Sequence, residues 1–299
     1  MASADKPAIL IIHGAWHVPR SYAKLTAALE SSGFEVHVPP LPSSTDVRPP
    51  KADLYRDTDM VRKFTENLIK DGRTIVALLH SYGGQVGSNA LHGFGVEARS
   101  SRGLAGGVSH LVYMAGYAVT EGTSMMDKVK EFGHIDLMPL AFDISEDSSC
   151  VCRDPPALLV SPGPEDDTEA LDAYVSTLKR WNAKCMYQPI QHAAWREIPV
   201  SYIYTTNDMT VPLTYQKSFV GTIVKEGCEV RTFELGSGHC PNLTATDGVV
   251  DAIKEVILGR ERLQAKPLGR GEDIPLSSFG VDGSGNMIAM SLSMQGSPI

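Results

Sequence analysis

Thr74-Ile75-Val76-Ala77-Leu78-Leu79-His80-Ser81-Tyr82-Gly83-Gly84 is the stretch that decides the fold. An unbroken apolar run of this kind reads as a strand buried on both faces, the pattern of a parallel sheet. It stops abruptly at His-Ser-x-Gly-Gly, where a helix would open. A buried strand that turns sharply through a serine into a helix is a nucleophile elbow. The tight turn demands small neighbours and lifts the hydroxyl clear of the backbone. It also leaves the next N–H at a helix N-terminus, where an oxyanion would be held. The first small position of the G-x-S-x-G pattern is taken by Leu79, which predicts a more open turn or a compensating small residue elsewhere.

Outward from the elbow, short apolar runs alternate with helical patterns. Toward the N-terminus these are a strand at Ala8–Ile12, a helix around Ser21–Ser31 ending at Gly33, and a strand at Phe34–Val38. A helix then carries Leu54, Met60, Val61, Phe64, Leu68 and Ile69 near helical spacing. After the elbow come a helix from Gly83 to about Leu91 and a strand at His110–Met114. The rhythm breaks between Thr120 and Glu197, where residues 136–172 hold ten carboxylates and one base, Arg153, and a helix is predicted from Asp167 to Trp181. It resumes with strands at Pro199–Tyr204 and Glu229–Phe233, a helix within Val211–Val224, and a last helix at Thr246–Leu258. Strands alternating with helices predict an α/β fold, a mostly parallel sheet flanked by helices. The expected organisation is a core of residues 1–119 and 198–262, an inserted cap of 120–197, and an extension of 263–299. In that extension 277–293 reads either as a β-hairpin or as an apolar tail without fold; a hairpin there would offer a homodimer interface. The acidic run reads as a solvated face or as a surface for a cationic partner.

A serine hydroxyl is a weak nucleophile at neutral pH. It needs a base in hydrogen-bond reach and an acceptor that holds the base's tautomer. In parallel sheets, sites lie at the carboxyl ends of strands. Asp208, in Thr205-Thr206-Asn207-Asp208, and His239, in Gly236-Ser237-Gly238-His239, both follow predicted strands, in the order Ser, Asp, His that this architecture uses. Each residue alone has a bland alternative, since aspartates after strands often only form turns. Jointly, Ser81, Asp208 and His239 are expected to be the catalytic triad. His13-Gly14-Ala15-Trp16-His17 after the first strand is the place for a second oxyanion donor. The N–H groups of Ala15 and Tyr82 are therefore the expected pair. Trp16, Tyr117 and Trp195 are assigned by position to the substrate pocket, each with core packing as the alternative; His17 reads as a structural or pocket-lining residue, with a second acid or base as the alternative.

Composition bounds the rest. The 299 residues carry a net charge of -8 with no Lys/Arg block, which argues against nucleic acid. No stretch approaches the ~20 apolar residues of a membrane span. Ala8–Ile12 runs straight into His13-Gly14 and reads as a strand, not a signal peptide. Five cysteines, an odd number, suggest reduced thiols and a cytoplasmic protein. Cys150-Val151-Cys152 has no second pair at zinc spacing, so neither metal nor cofactor is expected.

With these motifs in hand, the chain resembles the α/β-hydrolase superfamily over residues 6–260, nearest to small fungal-type members. The resemblance rests on His13–His17 (HGAWH), His80–Gly84 (HSYGG), Ala193–Pro199 (A-A-W-x-x-I-P) and Asn207–Pro212 (N-D-x-x-x-P). More distantly it is similar to plant methylesterases and hydroxynitrile lyases. The resemblance implies Ser81 as nucleophile, Asp208 as acid, His239 as base, and Ala15 and Tyr82 as oxyanion donors. Hydroxynitrile lyases of that type carry Lys after the histidine and Thr near the first strand. Cys240 and Ala15 stand there instead, so cyanohydrin chemistry is not expected. The implied reaction is cofactor-free cleavage of an ester, lactone or thioester of a small molecule, such as a secondary metabolite. Carbon–carbon cleavage, acyl transfer or polyketide-type cyclisation or dehydration by the same triad stays open, as does a ligand-binding protein without turnover.

Overall fold

The computed structural model describes residues 6–161 and 167–264, with the short pairs 280–281 and 287–288. In chain order the strands of the larger unit, Met1–Leu258, are β1 (Ala8–Ile12), β2 (Val36–His37), β3 (Thr74–His80), β4 (Gly107–Met114), β5 (Phe142–Ile144), β6 (Ser149–Cys152), β7 (Trp181–Asn182), β8 (Val200–Thr205) and β9 (Val230–Leu235). Six of them form one sheet in the order β2-β1-β3-β4-β8-β9, every neighbouring pair parallel. The helices are α1 (Ala23–Ser31), α2 (Leu54–Ile69), α3 (Gly83–Ala90), α4 (Val96–Ser100), α5 (Met125–Glu131), α6 (Met138–Ala141), α7 (Thr168–Val175), α8 (Lys184–Tyr187), α9 (Leu213–Lys225), α10 (Pro241–Thr244) and α11 (Thr246–Gln264).

Alternate residues of each strand face opposite sides of the sheet, and both sides are buried. Leu10 and Ile12 of β1, Ala77 and Leu79 of β3, and Leu111 and Tyr113 of β4 join α2, α3 and α9 in one core. Ile9, Ile11, Val76, Leu78, Val112 and Met114 join Leu25 and Leu29 of α1 and Val249, Ile253 and Val256 of α11 in another. Helix α2 starts where the Asp53 carboxylate accepts the Arg56 N–H at 3.1 Å, and it buries Leu54, Asp57, Val61, Thr65 and Ile69 along one stripe. The carboxylate of Asp57 on that stripe matters for the site.

The sheet explains Leu79. Its side chain is completely buried and lies over α3, where a Cβ on Gly87 would stand 2.5 Å from Leu79 Cδ2. Gly87 is the compensating small residue: the bulk absent from the helix is supplied by the strand beneath it.

Between β4 and β8 the chain builds a second, antiparallel sheet, β5-β6-β7, with α5–α8 around it. The helix expected over 167–181 is shorter. It is capped by Asp167, whose carboxylate accepts the Glu169 and Ala170 N–H groups, and it ends at Val175. Trp181 instead pairs with Cys150 as a strand and bridges to Ser44, so sheet pairing overrides the helical continuation. The last helix runs to Gln264, beyond the expected Leu258. In the C-terminal unit, Gly259–Ile299, Gly280–Val281 pair antiparallel with Met287–Ile288. The rest of the 277–293 stretch lies outside the described residues.

Gly87→Ala should destabilise the wild-type background, because the new methyl meets Leu79. In Leu79→Ala it should be neutral or stabilising, since alanine is the better helix former. Urea unfolding of the four proteins should give a coupling of about 1–3 kcal/mol; additive effects would rule out the proposed complementarity.

Candidate active site

All five segments expected at the site leave the carboxyl ends of the parallel strands: β1 leads to Ala15–His17, β3 to Ser81, β4 to Ala115–Tyr117, β8 to Asp208 and β9 to His239. The elbow is tight. Ser81 has φ of 53°, and a Cβ on Gly83 would lie 2.0 Å from the Ile12 carbonyl oxygen, so only glycine lets α3 start this close to β1. The Ser81 N–H donates to Met114 O at 3.2 Å and the Tyr117 N–H donates to Ser81 O at 3.1 Å, which stitches the elbow to the exit of β4.

The expected triad is assembled. Ser81 Oγ lies 2.8 Å from His239 Nε2, and His239 Nδ1 lies 2.7 Å from Asp208 Oδ2. Asp208 is held from every side. Its Oδ1 accepts the N–H groups of Thr210 and Val211, each at 2.8 Å, and its Oδ2 also accepts the Thr205 hydroxyl at 2.8 Å. With Nδ1–H directed at the carboxylate, Nε2 presents its lone pair to the serine hydroxyl. The backbone N–H groups of Ala15 and Tyr82 donate to no protein group among the described residues, which leaves both available to an oxyanion.

A layer behind the triad was not assigned from sequence. The Gly14 N–H donates to the Tyr22 hydroxyl at 3.1 Å, and that hydroxyl donates to His80 Nδ1 at 2.5 Å. His80 Nε2–H then donates to the carbonyl of His239 at 2.7 Å. The turn that carries Ala15 is thus tied to the loop that carries the base. His13 Nδ1–H donates to Gly14 O at 2.9 Å while its Nε2 accepts the Leu41 N–H at 3.1 Å. On the other side of the elbow the Tyr82 hydroxyl donates to Asp57 at 2.8 Å, and Asp57 also accepts the N–H and hydroxyl of Ser43. The one sequence signal for Asp57 was its place three residues after Leu54 and four before Val61, on the apolar stripe of α2.

Ser81 opens into a cavity of about 390 Å³. Its wall combines Ala15, Trp16 and Tyr117 from the core with Met125, Met126, Met138, Phe142, Trp181 and Met186 from the cap. Trp16 and Tyr117 stand where they were expected. Two assigned pocket residues stand elsewhere. His17 is buried behind the wall, its Nδ1–H donating to Ala15 O at 2.7 Å and its Nε2 accepting the Tyr174 hydroxyl at 2.8 Å. Trp195 donates to the Val119 carbonyl at 3.0 Å and packs under Arg196, closing the joint where the cap returns to the core. It lies outside the lining because the Ala193–Pro199 segment runs toward the start of β8 rather than its end. Trp16 has a second role: its Nε1–H donates to Cys150 O at 3.2 Å, and its ring stacks on Phe142 at 5.1 Å.

Residues 9–252 match the profile described as the alpha/beta hydrolase family. The chain is 30% identical to a probable hydrolase of a Phoma species over 257 residues, 84% of this chain and 98% of that one. It is 27% identical to an alpha/beta hydrolase of Aspergillus novofumigatus over 253 residues, covering 83% and 96% of the two chains. Among solved structures, a pyrethroid hydrolase from Sphingobium faniae superposes with a TM-score of 0.64 at 18% identity, over 86% of this chain and all but 1% of that one (99% covered).

Burial lowers His13 from 6.5 to about 4 and His17 to about 3, and pushes His80 well below its ordinary value. Each contributes stability that is present above 6.5 and lost as pH falls toward the folded value. Asp57 has the opposite sign. Burial raises it from 3.8 to about 6, so its contribution is present below 3.8 and lost as pH rises through about 6. Three histidines outweigh one carboxylate. Unfolding free energy from urea titration should therefore fall as pH is lowered from 6.5 toward 4. In Asp57→Asn the fall should be steeper, by about 1 kcal/mol per pH unit. Equal slopes would mean that Asp57 does not titrate in this window.

Proposed function

This chain belongs to the alpha/beta hydrolase family, and from that premise we propose that it is a serine hydrolase that cleaves an ester, lactone or thioester of a small organic molecule through an acyl-enzyme on Ser81. One observation carries the reading: the unbroken line from Asp208 Oδ2 through His239 to Ser81 Oγ, with contacts of 2.7 and 2.8 Å, opening into a cavity. His239 Nε2 takes the serine proton as Oγ attacks the carbonyl carbon, and Asp208 stabilises the imidazolium that forms. The N–H groups of Ala15 and Tyr82 receive the oxyanion, a contribution worth on the order of 10²–10³ in rate per donor. The imidazolium returns its proton to the leaving group. Water, deprotonated by the same nitrogen, then releases the acid and restores Ser81.

All five cysteines are unpaired, which suits a reducing compartment and supports a cytoplasmic site of action. Among the described residues no helix is long and apolar enough to cross a membrane.

A fluorophosphonate probe should add to the wild type and not to Ser81→Ala, read by intact mass. Turnover of 4-nitrophenyl esters should drop by about 10⁴-fold or more in Ser81→Ala. Wild-type protein that is folded, unlabelled and inert toward esters and lactones would overturn the reading.

A further inference from the structure

The cavity wall carries a second polar cluster that the triad does not use. Most of the lining is methionine, aromatic or aliphatic, and neither lysine nor arginine is among its described residues. Of its polar groups, Asp208 is committed to His239, and the Thr210 hydroxyl donates to Leu158 O at 2.6 Å. Two phenols and an imidazole remain. Tyr117 is 5% exposed, and its hydroxyl has no hydrogen-bond partner among the described residues. The Tyr215 hydroxyl meets His134 Nδ1 at 2.9 Å, leaving His134 Nε2 without a protein partner among the described residues. The Tyr215 ring stacks on Phe132 at 4.3 Å and lies 12° from parallel to the His134 ring.

A phenol that lines a cavity without a protein partner takes its hydrogen bond from whatever occupies the cavity. Burial, then the neighbouring Tyr215 and Asp208, raises the Tyr117 phenol, so it stays a neutral donor. Tyr117 packs against Phe219 at 5.3 Å and lines the same cavity as His134 and Tyr215. Neutral phenols and an imidazole suit an uncharged oxygen. A carboxylate or phosphate would want a cation, and Lys128 of α5 is outside the lining and paired with Glu131 at 2.7 Å.

We propose that Tyr117, His134 and Tyr215 form an oxygen-recognising subsite, and that the substrate is a neutral ester or lactone with a largely apolar body and a hydroxyl or ketone remote from the scissile carbonyl. The substrate class rests on the serine-hydrolase reading above. The subsite itself does not require turnover.

Straight-chain 4-nitrophenyl esters of increasing length, each with and without a terminal hydroxyl, test it. At the length that reaches the subsite, the hydroxyl should raise kcat/KM about three- to tenfold in the wild type, the range of one neutral hydrogen bond. In Tyr117→Phe and in Tyr215→Phe that ratio should collapse toward unity, whatever happens to the absolute rates. The matching methyl ketones, titrated calorimetrically into Ser81→Ala, should show the same preference in Kd. A wild type that prefers the hydroxyl at no length, or phenylalanine variants that keep the ratio, would overturn the subsite. Absence of ester turnover and of fluorophosphonate labelling, with the Kd preference intact, would overturn the hydrolase reading and leave the subsite standing.

Discussion

Everything at this site depends on how closely α3 approaches β1. At Gly83 there is no room for a Cβ, because the Ile12 carbonyl oxygen occupies its place. That contact forces the chain to leave β3 through a serine at positive φ, a conformation that costs on the order of 1 kcal/mol for a residue with a side chain. The strain is held by the two backbone hydrogen bonds to Met114 and Tyr117 on the adjacent strand exit. Few atoms are therefore responsible for much. The same turn lifts Ser81 Oγ, frees the Tyr82 N–H, sets Tyr117 into the cavity wall, and brings Gly14 under the serine. A Cβ on Gly14 would stand 3.1 Å from Ser81 Cβ. Ser81, the Ala15 and Tyr82 N–H groups and the cavity wall share one backbone framework.

The cap is fastened to that framework by aromatic side chains, alongside the exposed ion pairs of Arg48 with Asp147 and Lys179 with Asp46. Trp16, on the turn that carries Ala15, stacks on Phe142 and meets the edge of Trp181 at 5.4 Å. Trp181 in turn meets Tyr82 at 4.9 Å and donates to the Ser43 hydroxyl at 3.1 Å. The Lys179 N–H donates to Trp16 O at 2.8 Å. Aromatic pairs of this kind contribute about 0.5–1.5 kcal/mol each beyond their area, whereas the exposed ion pair of Arg48 with Asp147 contributes little. The cavity wall is thus fastened to the two turns that carry the Ala15 and Tyr82 N–H groups. Asp57 belongs to this fastening: it anchors Tyr82 through its hydroxyl and Trp181 through Ser43, at the cost of a buried carboxyl group.

The core was legible because its signals are local. A doubly buried strand is a continuous apolar run, and a catalytic turn compresses its small residues into five positions. Triad order follows from which strand precedes which loop. The cap was illegible for the opposite reason. Its strands are two to four residues long, and they pair across gaps such as Cys150 to Trp181. Its helix was read too long because Trp181 continues the apolar spacing of α7 while its pairing lies elsewhere. Trp16 and Tyr117 each follow a strand and line the cavity, since the strand ends converge there. Trp195, which precedes β8, and His17, one residue beyond the turn, lie outside the lining. Leu79 shows the intermediate case: the anomaly was visible in the sequence, but its partner Gly87 lies on the next element.

Apart from His134 of the cavity wall, four histidines gather at and behind Ser81, and their hydrogen bonds single out His239 as the proposed base. His13, His17 and His80 each donate to a backbone carbonyl and each accept from a neighbour, the Leu41 N–H or the hydroxyls of Tyr174 and Tyr22. Each is a satisfied neutral bridge. A second proton on His13 would set one N–H against another, and on any of the three it would place an uncompensated cation in a dry interior. His239 differs in one acceptor. Its Nδ1–H meets a carboxylate instead of a carbonyl, and its Nε2 meets a serine hydroxyl. In the proposed mechanism a cation on His239 is paired at once with Asp208, whose other oxygen is already held by two backbone donors. The three neutral histidines supply no competing charge, and through His80 and Tyr22 they hold both the base and the oxyanion turn in register. The proposed base is therefore marked by where the carboxylate of Asp208 lies, not by where the imidazoles lie.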